Sequence, residues 1–62
     1  MAVEPRLGDL VIVLGWPRGR IEVIDEYQDE KVVGVKFEGS FLKQFYHMNQ
    51  LEWCDDHWRL KE

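Results

Sequence analysis

The sequence predicts an all-β domain: a small barrel of about five short antiparallel strands, with a 3-10 turn before the last. Three observations lead there. Short apolar runs rich in β-branched residues recur along the chain, each closed by Gly, Pro or a cluster of acids. No segment repeats its apolar residues at the helical period over a useful length. The chain is 62 residues long, enough for one domain that buries about 60% of the surface its unfolded form exposes.

Met1 to Leu7 reads as a flexible N-terminal arm containing Pro5, and Gly8-Asp9 as the turn that launches the first strand. The run from Leu10 to Leu14, LVIVL, suits a strand buried on both faces. Gly15-Trp16-Pro17-Arg18-Gly19 forms the following loop. A second strand spans Arg20 to Tyr27, with Ile21 and Val23 on one face. Ile24 interrupts the polar face and predicts a bulge or bend. Gln28-Asp29-Glu30 is a link of hairpin length without the Asn-Gly signature.

The clearest strand is Lys31 to Phe37, with Val33, Val35 and Phe37 toward the core and Gly34 leaving room for a ring or a backbone to approach. Glu38-Gly39-Ser40 turns the chain into Phe41 to Tyr46, where Phe41 and Phe45 are expected in the core. His47 to Gln50 fits a 3-10 turn, and Leu51 to Trp53 a brief closing strand. The barrel is thus expected over residues 8–54, followed by a charged C-terminal tail over 55–62.

Charge and cysteine usage narrow the function. The net charge is −4, with twelve acids against eight bases. Five acids fall between Glu22 and Glu30 with no base among them. Whole-molecule electrostatics therefore oppose nucleic acid, whose binding draws on phosphate neutralisation. Cys54 is the only cysteine, which argues for a reducing setting. The start MAVEPRLGD lacks a signal peptide's order, and no apolar run approaches bilayer length. A cytoplasmic location is the expectation.

The order GDLVIVL, a Gly-bounded loop, RIEVID, VVGVKFEG, FLKQF and LEW resembles the SH3-like small barrels over about Gly8 to Trp53. Within them the chain is most similar to the YodC-like small bacterial proteins, a family without an established activity. The loop Trp16-Pro17-Arg18 and the acidic second hairpin depart from that family's pattern. A narrower resemblance is to the type II, plasmid-type dihydrofolate reductases. There Gln44-Phe45-Tyr46 stands where a pore-lining stretch of a homotetramer lies. That resemblance implies Gln44 and Tyr46 as catalytic residues and NADPH as cofactor. Where those enzymes carry lysine on the first strand, this chain has Ile12 and Val13.

Fold does not determine function. The leading expectation is a non-enzymatic binding or adaptor module with no cofactor and no catalytic residue. It would bind another protein, or a second copy of itself, through Trp16, Tyr27, Tyr46 and Trp58, with no membrane contact. Trp16 stands between covering core and meeting a partner, and Trp58 between folding back and contacting another chain. The alternatives are the reductase-like enzyme and a weak single-stranded nucleic-acid binder using Arg18, Arg20 and Lys43, which together with Lys36 are expected to converge on one face with Phe41 or Tyr46 between them. Cys54 and His57 have metal-ligand spacing, but only His47 remains as a further soft ligand, so no metal site is expected.

Overall fold

A computed structural model describes residues 3–61. Residues 1 and 2 of the expected arm and residue 62 of the expected tail lie outside the described residues. The chain is all-β, with strands β1 (Leu10–Ile12), β2 (Gly19–Tyr27), β3 (Glu30–Phe37), β4 (Lys43–His47), β5 (Leu51–Cys54) and β6 (His57–Leu60). A 3-10 turn, Met48–Gln50, joins β4 to β5. All six strands form one sheet in the order β4-β3-β2-β1-β6-β5. Every pairing is antiparallel except β1 with β6, which is parallel.

This differs from the expected barrel in three respects. The sheet is mixed, it has a sixth strand, and it is open, with β4 and β5 at its edges. The sixth strand comes from the segment expected as a charged tail. Asp55 and Asp56 form a two-residue turn between Cys54 and His57, which pair directly. Asp55 holds φ 59°, and the Asp56 amide donates to the Cys54 carbonyl at 2.6 Å. That is a γ-turn with a positive central φ, a strained form for a residue with a Cβ. The turn lets Trp58 and Leu60 face inward at the two-residue period of a strand.

The core comprises Val11, Ile21, Val33, Val35, Phe37, Leu51 and Trp58. Val33, Val35 and Phe37 take the face their alternation predicts. Around them pack Val13, Ile24, Tyr46, Met48, Trp53 and Leu60. The expected irregularity in β2 lies at Glu22, where the register with β3 shifts between Ile21 and Val23. The extra residue turns Ile24 onto the core. Gln28 and Asp29 both have positive φ, 53° and 65°, between the paired Tyr27 and Glu30. This is the type I′ pattern that matches strand twist, made here without Asn-Gly.

Two glycines let chains approach closely. A Cβ on Gly19 would meet Val35 Cγ1 at 2.6 Å and the Phe37 ring at 2.8 Å. A Cβ on Gly34 would meet the Phe45 ring at 2.9 Å, the approach expected from the sequence. That ring lies across the outer face of β3, so Phe45 is not in the core. Phe41 is 99% exposed, in the loop before β4, and does not reach the core either. Leu14, expected in the first strand, is exposed beyond its end.

The Gly8-Asp9 opening has a definite task. The Asp9 amide donates to the Arg6 carbonyl at 3.1 Å, while Asp9 Oδ2 accepts from the Arg6 amide at 2.9 Å. The same oxygen accepts from Trp58 Nε1 at 3.1 Å. A buried indole N–H needs an acceptor, and the turn before β1 supplies it across 49 residues of sequence. The Trp58 ring also meets Trp53 edge-on, with centroids 5.2 Å apart.

Candidate functional site

The four aromatics expected to share a binding surface do not meet. Trp58 is 3% exposed and belongs to the core. Tyr46 pairs with Val33 and packs against the core, and burial raises its phenol pKa above the usual value. Trp16 covers Phe37 with ring centroids 4.9 Å apart and keeps about half its surface, 49%, in solvent. Tyr27 is exposed at the far end of β2. At about 3.3 Å per residue, β2 alone puts roughly 25 Å between Tyr27 and the Trp16 loop. The quartet is therefore two separate exposed rings and two packed ones.

Gln44 and Tyr46 do fall on one face of β4, opposite Val35 and Val33. Alternation sends Lys43 to the other face, where Nζ lies 3.8 Å from Glu22 Oε1. Ile12 and Val13 are apolar and half-buried. These residues do not by themselves fit a cofactor as anionic as NADPH, and no reaction step follows from them. His57 Nδ1 lies 2.7 Å from Asp56 Oδ1, and His47 Nδ1 lies 2.8 Å from Glu30 Oε2. Among the described residues no three His, Cys, Asp or Glu side chains converge to hold a metal ion. No described helix is long and apolar enough to cross a membrane.

Two features remain on the β2–β3–β4 side of the sheet. The first is the edge itself. Among the described residues β4 pairs with β3 alone, and no strand lies along its other backbone edge. Along it Phe45 is 59% exposed, and Leu42, just before it, 73% exposed. Sequence reading placed Phe45 in the core because strand order and edges are not visible in a single run of residues.

The second is a cleft on the outer face. Arg20 pairs with Lys36, and Lys36 with Lys43. Three cations thus stand on three adjacent strands, at the roughly 4.8 Å spacing of a sheet. Arg18 joins them just before β2. Arg18, Arg20 and Lys36, with the Gly39–Phe41 loop, line a cleft of about 460 Å³. Arg18, Arg20, Lys36 and Lys43 are the cations that the sequence groups on one face. Lys36 joins Arg20 to Lys43 in the row, and Phe41 is the ring beside it.

The acids are disposed oppositely. Asp25, Glu26, Asp29 and Glu30 crowd the far end of the β2–β3 hairpin and outnumber Lys31 there, whereas cations outnumber acids at the cleft end. Glu22 and Glu38 are the carboxylates at the cleft. No protein-family model, curated protein or solved structure matches this chain.

Proposed function

We propose that the protein is a small non-enzymatic binding module that works through protein–protein contacts at the open edge of β4. The carrying observation is the coincidence of an unpartnered backbone edge with two exposed apolar side chains, Leu42 and Phe45. Natural edge strands are blunted by charge, proline, bulges or a covering segment. Here Lys43 is the one cation in the strand, and proline is absent from it. The occupant is an extended strand of another polypeptide, added by main-chain hydrogen bonds and anchored by alternate side chains.

In the isolated protein a second copy fills this role. Antiparallel pairing of two β4 strands about Phe45 stacks the two rings. It also sets Lys43 against the partner's His47, beside the carboxylate of the partner's Glu30. Attraction there favours this register. The β2–β3–β4 meander, the Gly39 turn and the 3-10 turn into β5 support an SH3-like arrangement, opened on one side and extended by β6. Sedimentation equilibrium of the wild type and of Phe45→Lys tests the reading. Concentration-dependent dimerisation is expected in the first and a monomer in the second, with unchanged circular dichroism.

A further inference from the structure

The cleft is a second site, and its lining does not include Leu42, Lys43 or Phe45 of the β4 edge. Like charges opposite one another across strands destabilise a sheet. The row Arg20–Lys36–Lys43 accepts that cost in a protein whose net charge is −4. Compensation within the chain is partial. Lys43 faces Glu22 at 3.8 Å, and Arg20 Nη1 donates to the Gly8 carbonyl at 3.1 Å. Among the described residues, the side chains of Arg18 and Lys36 have no hydrogen-bond or ion-pair partner. Beside these two cations stands Phe41, 99% exposed, with both faces of its ring in solvent.

An anion alone would use the cations and leave the ring idle. A ligand with a phosphate and a flat aromatic group uses both, by charge-assisted hydrogen bonds and by stacking. We propose that the cleft binds one nucleotide unit, with its phosphate against Arg18 and Lys36 and its base on Phe41. Glu38, at the cleft wall, offers an acceptor for the amino group of a base.

The footprint is short for an electrostatic reason. Asp25, Glu26, Asp29 and Glu30 occupy the other end of the same hairpin, where Lys31 is outnumbered, and the net negative charge repels a phosphate backbone that continues along it. The site therefore fits a free nucleotide or a single unit of a strand, whose shared chemistry is the phosphate and the base.

The test is a nitrogen-15 NMR titration of the whole chain with AMP, with inorganic phosphate and with a short oligo(dA). AMP is expected to shift the amides of Gly39, Ser40 and Phe41 saturably and to bind more tightly than phosphate. Phe41→Ala should weaken AMP by roughly 5-fold or more, the usual scale for losing a stacked base, with little effect on phosphate. Phe41 touches no core, so this variant folds. Lys36→Gln should weaken both ligands. Oligo(dA) binding tighter than AMP assigns the site to a strand, and equal or weaker binding assigns it to the free nucleotide. The proposal is overturned if AMP gives no saturable shift at these amides, or if Phe41→Ala binds AMP as the wild type does. It is equally overturned if an oligoglutamate peptide binds the cleft as tightly as AMP. None of these outcomes depends on the β4 edge, which Phe45→Lys tests separately.

Discussion

Asp9→Ala is the substitution that most sharply probes how the chain closes on itself. Asp9 Oδ2 accepts from the Arg6 amide and from the Trp58 indole. Water replaces the lost acceptor at the exposed Arg6 amide at little cost. It has poor access to Trp58, which is 3% exposed. Leaving a buried donor unsatisfied costs about 1–3 kcal/mol. A destabilisation of about 2 kcal/mol follows, against a total of roughly 3–9 kcal/mol for a domain of this length. In thermal terms that is a fall in Tm of roughly 8–16 °C.

The assay is urea denaturation followed by far-ultraviolet circular dichroism, run as a double-mutant cycle with Trp58→Phe. In the Trp58→Phe background the indole donor is absent, so the cost of Asp9→Ala should drop below about 0.5 kcal/mol. Asp9→Asn keeps an oxygen acceptor and should retain much of the stability. An Asp9→Ala cost equal in both backgrounds, or negligible in the wild type, would refute the assigned role of the Gly8-Asp9 turn.

Two further predictions concern the β5–β6 turn and Tyr46. Asp55→Gly removes the Cβ from a residue at φ 59° and should stabilise the protein by about 0.5–1 kcal/mol in the same denaturation assay; destabilisation would contradict the γ-turn and the strand pairing it supports. Burial raises the Tyr46 pKa, so its contribution is intact below the unfolded value of about 10 and is lost as pH rises through the folded value, because the unfolded phenol ionises first. The stability difference between wild type and Tyr46→Phe should therefore shift against the wild type above pH 10, and a pH-independent difference would contradict the burial.

Much of the strand pattern was legible in the sequence, and the failures have physical causes. In β3 the alternation Val33, Val35, Phe37 and the gap at Gly34 identified the core face and the close approach together. β6 was hidden because its period-two pair, Trp58 and Leu60, is interleaved with His57, Arg59 and Lys61 and preceded by two aspartates. A turn made by Asp55 and Asp56 reads as a solvated tail unless the alternation after it is given more weight than the charge. Phe41 and Phe45 were assigned inward on hydrophobicity alone, although apolar atoms contribute much of any protein surface. The cations Arg18, Arg20 and Lys43 were legible as candidates. Their convergence with Lys36 on one face was legible as an expectation, but the register that aligns Arg20, Lys36 and Lys43 was not, since it depends on the bulge at Glu22 and on β2, β3 and β4 being neighbours.

Sedimentation equilibrium is the measurement that decides whether the open β4 edge is the contact surface proposed above. A reversible monomer–dimer equilibrium is expected for the wild type, displaced to monomer by Phe45→Lys and unaffected by Tyr27→Ala at the far end of the hairpin. A wild type that stays monomeric at every concentration, or a dimer indifferent to Phe45→Lys, would contradict it.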